Sequence, residues 1–219
     1  MTNYVISGAA RGIGCELSRQ LSERGDTVIA LCRSASPELE ALDVTIVDGI
    51  DVTSDQSMTH LNEALSGVNV DILINNAGIL GGEVLGDIDF DSMRRQFEVN
   101  SLGPLRVSQA VLQHMDSGSR IAIVSSRMGS IADNGSGSRY GYRASKAAVN
   151  IIGVSLARDL ESRNIAVATL HPGMVATDMT ANNGIPVSEA ASGLIARIDG
   201  LDMSNSGTFW HANGEVLPW

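Results

Sequence analysis

The run Ser7-Gly8-Ala9-Ala10-Arg11-Gly12-Ile13-Gly14 constrains this chain more than any other stretch. It follows a short β-rich segment, Tyr4–Ser7, and leads into the helical periodicity of Gly12–Arg24. Its glycines permit a tight turn, close backbone approach to a ligand, and close packing of helix on strand. A helix that starts there aims unpaired N–H groups at the turn, and such groups attract phosphate. The spacing is Gly-x-x-x-Gly-x-Gly rather than Gly-x-Gly-x-x-Gly. The glycines alone therefore do not separate a dinucleotide cradle from a plain glycine-rich turn. Their position favours the cradle, with a strand before, a helix after, and a β-α-β series beyond.

That series runs the length of the chain. Thr27–Leu31, Val44–Val47, Asp71–Ile74, Arg120–Ser125 and Ala166–Leu170 are short, continuous and rich in Val and Ile, as strands buried on both faces are. Ser54–Leu65, Asp89–Met115 and Tyr140–Ser162 read as helices between them, another helix starts at Pro186, and a last strand falls near Thr208–Trp210. The alternation predicts an α/β fold of the Rossmann type: a doubly wound parallel sheet in a single domain, residues 1–219. Tyr140–Ser162 is apolar around most of its circumference. One stripe can face the sheet, and the rest is covered either within the domain or by a second subunit.

Composition narrows the partners. A formal net charge of −10 argues against nucleic acid and anionic membrane surfaces. No apolar run reaches the length of a membrane span. Cys15 and Cys32 lack metal-like spacing, so no metal site is expected. With a strand starting at Tyr4 there is no room for a leading signal, which predicts a reduced, cytoplasmic protein. A phosphate-rich ligand would need a local basic patch against this acidic background, which draws attention to Arg11 and Arg33. The second strand ends in Leu31-Cys32-Arg33-Ser34, where an NAD-binding protein would usually carry a carboxylate for the ribose hydroxyls. A guanidinium there suits a 2′-phosphate, with Arg11 helping from the glycine turn, so NADP(H) is expected over NAD(H).

Tyr142-Arg143-Ala144-Ser145-Lys146 opens a helix, and i, i+4 spacing puts the phenol and the ammonium on one face. A nearby cation would lower the phenol pKa from its usual ~10 and fit it for proton exchange with a carbonyl or alcohol oxygen. Tyr140 competes poorly, because its i+4 residue is Ala144. The strand Ile121–Val124 ends in Ser125-Ser126, where a hydroxyl can meet a substrate at the carboxyl edge of the sheet. Another strand ends in Asn75-Asn76-Ala77-Gly78, whose small residues let backbone approach a flat ligand. Asn100 lies within a long helical stretch, where its amide can bond buried backbone or water.

Ser7–Gly14, Asp51-Val52, Asn75–Gly78, Asn100, Ser126, Tyr142-x-x-x-Lys146 and Pro172-Gly173 occur in the order and spacing of the short-chain dehydrogenase/reductase family, which the whole chain resembles. Ser126–Ile131, Tyr140–Arg143, Leu170–Gly173 and Leu217-Pro218-Trp219 look like the branch containing C-factor-like proteins and sniffer-type carbonyl reductases. The resemblance implies Tyr142 as acid/base, Lys146 lowering its pKa and holding the nicotinamide ribose, Ser126 orienting the carbonyl, and Asn100 holding a water in the proton relay. The glycine turn itself puts cofactor contacts at Gly8, Ala10, Arg11, Gly12, Ile13 and Gly14, and the end of the second strand puts Arg33 at the 2′-phosphate. By the resemblance, Asp51 and Val52 would flank the adenine, Asn76, Ala77 and Gly78 would line the cleft, and Pro172, Gly173, Val175 and Thr177 would meet the nicotinamide. The resemblance also implies a homodimer or homotetramer. The loop before Tyr142 is longer than in many members, and the segment after Thr177 is short for a substrate lid.

Two classes of function remain in view: a ketone or aldehyde reductase working with NADPH (or its reverse), and an NADP(H)-binding redox sensor or signalling protein of the C-factor type. The complete Ser/Tyr/Lys set favours the enzyme, since a sensor has no physical need of it. A lyase or dehalogenase on the same scaffold is disfavoured by the intact glycine turn.

Overall fold

The computed structural model describes residues 1–219. Seven strands form one parallel sheet: β1 (Asn3–Ser7), β2 (Thr27–Leu31), β3 (Thr45–Val47), β4 (Ile72–Asn75), β5 (Arg120–Val124), β6 (Ala166–His171) and β7 (Thr208–His211). Their order is β3-β2-β1-β4-β5-β6-β7, and each pairing is parallel, as in Ile6 against both Ala30 and Ile74. The chain reverses its direction of travel across the sheet between β1 and β4. That reversal opens a crevice at the carboxyl edge, where ligands of such sheets bind.

Successive strand residues point to opposite faces, and both faces are covered. Val5, Ile29, Leu73, Ile121, Ile123 and Val167 join one core with residues of α3 (Asp55–Ala64), α5 (Gly103–Val111) and α6 (Tyr140–Asp159). Ile6, Val28, Ala30, Ile74, Ala122 and Ala168 join the other with α1 (Gly12–Glu23) and α7 (Val187–Asp199). This double burial is why the strands read as unbroken apolar runs rather than alternating ones.

Three local features depart from the sequence reading. A short helix, α2 (Pro37–Glu40), follows β2; Ser36 caps it by accepting from Leu39 N–H at 3.2 Å, and it is too short to display a period. Asp89–Met115 is not one helix. α4 (Phe90–Phe97), capped by Asp89, gives way to a π-helical turn at Glu98–Leu102, and α5 then restarts at Gly103. Pro104 cannot donate an in-line helix bond and its ring crowds the carbonyl a turn earlier, so the wider turn absorbs the misfit. Finally, α6 stops at Asp159, and a 3₁₀ turn and left-handed Asn164 complete the exit. On the outer faces of α5 and α6, Leu105 and Ile151 stay exposed, so the domain does not itself cover all of that apolar circumference.

Candidate functional site

The glycine turn is built against the end of β4. Gly8 has φ +67°, and a Cβ there would stand 2.7 Å from Ala77 Cα. A Cβ on Gly14 would overlap the Gly8 carbonyl oxygen and lie 2.6 Å from Asn76 Nδ2. That amide donates to the carbonyls of Ser7 and Gly8 at 3.2 and 3.1 Å, while Ser7 Oγ accepts from Asn76 N–H at 3.1 Å. Two strand ends are thus tied together under the turn. Gly12, at φ +58°, faces the Thr177 methyl, 3.4 Å from where a Cβ would be. Ala10 and Ile13 lie half-buried on the turn between these contacts. The N-terminus of α1 has neither a side-chain cap nor an acidic residue in its first turn. Its N–H groups and dipole therefore face the crevice uncompensated, a cradle suited to pyrophosphate.

Beside it, Arg33 is exposed and lies within electrostatic reach of Asp51. The Asp51 carboxyl sits below its ordinary range because the Thr53 N–H (2.9 Å) and hydroxyl (2.8 Å) bond it, against the opposing effect of burial, and Arg33 adds to the lowering. Val52 is buried, and its Cγ2 would be 2.9 Å from a Cβ at Gly103. Cys32 is buried; burial and the nearby Asp48 push its thiol up to about 11, so it is an unreactive thiol. Arg11 reaches Asp178 at 3.3 Å, an exposed pair running from the glycine turn to the segment after β6.

Tyr142, Ser126 and Lys146 lie together where β5 and α6 meet. Ser126 follows β5 and caps the next turn by accepting from Met128 N–H at 3.1 Å. A Cβ on Gly129 would stand 2.6 Å from the Lys146 carbonyl carbon, so the backbone after Ser126 lies directly on α6. Lys146 is buried, and its Nζ donates to Val124 O at 3.0 Å, 5.7 Å from the Tyr142 ring centroid. Burial alone lowers its pKa from 10.5 to about 8. The expectation that the ammonium depresses the phenol is not met in this arrangement. Burial raises the Tyr142 pKa, and the opposing influences are the Ser126 hydroxyl and Arg139.

Asn100 also differs from expectation. It sits on the π turn rather than in a continuous helix, and it is fully buried. Its Oδ1 accepts from Ile79 N–H at 2.8 Å, and its Nδ2 donates to Ile79 O at 2.9 Å and to Ser145 Oγ at 3.0 Å. Both amide hydrogens are committed to protein, so the side chain clamps the β4 loop to α6. Gly78 leaves room beside it: a Cβ there would lie 3.4 Å from Asn100 Oδ1 and 3.7 Å from Lys146 Nζ.

Pro172, Gly173, Val175 and Thr177 extend the crevice beyond β6. Gly173 has φ +93°, Val175 is buried, and Thr177 begins a turn at Asp178–Thr180. The short segment folds back on itself through Ile185 N–H to Met174 O (2.8 Å) and Ala176 N–H to Ile185 O (2.9 Å).

Three participants escaped the sequence reading. Ser145 accepts from Asn100 and donates to Tyr142 O at 2.8 Å. His171 packs edge-on to His211 at 4.9 Å, with a buried Nδ1 lacking a partner; burial, His211, Arg127 and Lys146 lower it to about 3. Glu83 is a buried carboxylate beside α6. The signal for Ser145 was its place inside Tyr142-x-x-x-Lys146, and that for His171 its place in Leu170–Gly173; Glu83 carried none. No group of His, Cys, Asp and Glu side chains is arranged to hold a metal, and no helix is long and apolar enough to cross a membrane.

A parallel doubly wound sheet with a glycine cradle at its switch point defines a dinucleotide-binding protein of the Rossmann class. The short chain dehydrogenase family model matches residues 2–186, and the chain belongs to that family of oxidoreductases. It is 42% identical to 1-hydroxy-2-glutathionyl-2-methyl-3-butene dehydrogenase of Rhodococcus sp. (strain AD45), over 100% of both chains. It is 44% identical to the C-signal protein of Myxococcus xanthus, over 68% of this chain and 93% of that one. The NADPH-bound carbonyl reductase from chicken fatty liver superposes with a TM-score of 0.89 at 28% identity, covering 100% of this chain and 99% of the other.

Proposed function

We propose that this protein is an NADP(H)-dependent carbonyl reductase, or the corresponding alcohol dehydrogenase, with Tyr142 as its acid/base. The observation that carries the reading is the convergence of Ser126, Tyr142 and Lys146 at the carboxyl edge of the sheet, with Gly78 beside Lys146 and Gly8–Gly14 tied to the same β4 end. Gly8, Ala10, Arg11, Gly12, Ile13 and Gly14 would hold the pyrophosphate. Arg33 would meet the 2′-phosphate, Asp51 and Val52 the adenine, and Asn76, Ala77, Gly78, Pro172, Gly173, Val175 and Thr177 the rest of the cofactor. When bound, the reduced nicotinamide supplies a hydride to the carbonyl carbon.

The chain's own residues do the remainder. Burial keeps the Tyr142 phenol protonated at neutral pH, the form that donates to a carbonyl oxygen. Ser126 Oγ orients that oxygen. Lys146, its Nζ 5.7 Å from the Tyr142 ring centroid, would hold the nicotinamide ribose. Asn100 keeps the β4 loop and α6 in register. The NADPH bound to the chicken carbonyl reductase and the arginine in place of a ribose carboxylate support NADP(H) over NAD(H). The exposed Leu105 and Ile151 support a homodimer or homotetramer, and the two unpaired cysteines support a cytoplasmic setting.

A spectrophotometric screen of NADPH against NADH tests the reading, using aldehydes, ketones, diketones and alcohols, including thioether-bearing alcohols suggested by the name of the Rhodococcus relative. Tyr142→Phe is expected to lower kcat by about 10² to 10⁴ with NADPH affinity unchanged. Wild-type turnover in that variant would refute the role of Tyr142. Tight NADPH binding with no turnover across the panel would point instead to a redox sensor or signalling protein, the second of which the name of the C-signal relative suggests.

A further inference from the structure

Helix α6 begins without the usual means of capping. Its N-cap residue, Arg139, lies in the left-handed region (φ +50°), as does Ser138 (φ +53°); no N-cap side chain bonds the helix, and its first turn has no acidic residue. The first intrahelical bond runs from Arg143 N–H to Arg139 O, which leaves the amides of Tyr140, Gly141 and Tyr142 without helix partners. Tyr142 sits in this unsupported turn.

Glu83 meets that end of the helix from another part of the chain. Glu83 is 5% exposed; two groups bond its side chain and one its backbone. Its Oε1 accepts from Ser92 Oγ at 2.7 Å and from Gln96 Nε2 at 2.6 Å, and its own carbonyl accepts from Arg139 N–H at 2.7 Å. Gln96 is itself held, since its Oε1 accepts from Gly81 N–H at 2.8 Å. Oε2 is buried and has no hydrogen-bond partner. Burial would raise this carboxyl, but Ser92, its own N–H, Gln96 and the Gly141 N–H outweigh it and hold the pKa below the ordinary value. The group is therefore an anion, and the Gly141 N–H in the first turn of α6 is among the groups that favour its charge. Contact there is close: a Cβ on Gly141 would come 2.5 Å from Gln96 Nε2 and 2.9 Å from Met93 Cγ.

We propose that Glu83 is a positioning residue for Tyr142, its buried carboxylate standing in for the missing cap of α6 and fixing the turn that presents the phenol. An anion at a helix N-terminus bonds the orphan N–H groups and complements the dipole. The usual local Ser, Thr or Asp cap is replaced by an acid some sixty residues away, on the loop that follows β4. That choice ties the turn bearing Tyr142 to the wall of the same crevice. The proposal rests on the reading of Tyr142 as the proton donor.

The test uses Glu83→Gln, which keeps the size and removes the charge, and Ser92→Ala, which removes one donor that holds the carboxylate. Amide exchange at 140–142, kcat, KM and NADPH affinity are measured for each in the intact protein. E83Q should speed exchange at 140–142 and lower kcat by about tenfold or more, with NADPH affinity unchanged, because misplacement of a reacting group costs rate rather than cofactor binding. S92A should shift exchange and kcat in the same direction by less, and it carries the test if E83Q does not fold. Unchanged exchange at 140–142, or faster exchange with kcat intact, would overturn the proposal. The Tyr142→Phe measurement keeps the two readings apart: full turnover there removes the catalytic assignment, while exchange in E83Q still decides whether Glu83 caps α6.

Discussion

Lys146 carries a stability cost that can be measured apart from any catalytic role. It is 4% exposed, its Nζ has one hydrogen bond, to Val124 O at 3.0 Å, and burial lowers its pKa from 10.5 to about 8. Below pH 8 both folded and unfolded chains carry the charge, and the folded state bears a penalty of about 3 kcal/mol. Between pH 8 and 10.5 the unfolded chain holds a proton that the folded one has lost, so this contribution to stability rises with pH across that window. Lys146→Met removes the charge but orphans the Val124 carbonyl, which returns about 1 kcal/mol. The variant should therefore be about 2 kcal/mol more stable than the parent at pH 7, or roughly 4–8 °C in Tm. Above pH 10.5 that advantage should give way to a deficit of about 1 kcal/mol, the cost of the orphaned carbonyl. Urea unfolding of both proteins at pH 7, 9 and 10.5 checks this, the difference between them cancelling every other titrating group. A Lys146→Met protein less stable than the parent at pH 7, or a difference that does not change with pH, would refute the reasoning.

Arg33→Glu should weaken NADPH binding by about tenfold or more while sparing or improving NADH, because a charge-assisted contact is replaced by repulsion at the 2′-phosphate; fluorescence titration with both coenzymes reads it. His171, held near pH 3 in the folded state against an ordinary 6.5, makes folding progressively less favourable as pH falls from 6.5 to 3, since only the unfolded chain takes up the proton. His171→Gln should flatten that acid limb in urea midpoints measured across the window.

Much of the fold was legible because the strands are short apolar runs separated by helical stretches, and because glycines punctuate the first turn. The break at Glu98–Leu102 was not: the apolar pattern continues through it, and only Pro104 marks it. The site divides in the same way. Tyr142, Lys146, Ser126 and Gly8–Gly14 announce themselves by local spacing. Glu83 and His171 matter through burial and through partners distant in sequence, such as Arg139 for Glu83 and His211 for His171, which no local window contains. The environment of a charge was equally hidden. Helical spacing brought Lys146 and Tyr142 to one face, but Val124 O captures the ammonium and burial governs both groups.

The end of β4 explains why the candidate cofactor cradle and the catalytic helix form one unit. Asn76 holds the Gly8 turn through two carbonyls. Two residues on, Gly78 leaves the space in which Asn100 Oδ1 and Lys146 Nζ approach. Ile79 is then bound through both its N–H and its carbonyl to Asn100, which also bonds Ser145 on α6. Four consecutive residues thus touch the glycine turn at one end and the helix of Tyr142 at the other. The π turn serves this connection, since it carries Asn100, whose amide joins Ile79 to Ser145. A change at Asn76 and a change at Asn100 act on the same short backbone span from opposite ends. The glycine turn and the helix of Tyr142 are therefore joined through covalent neighbours, and the small residues at 77 and 78 are what let that span run so close to both.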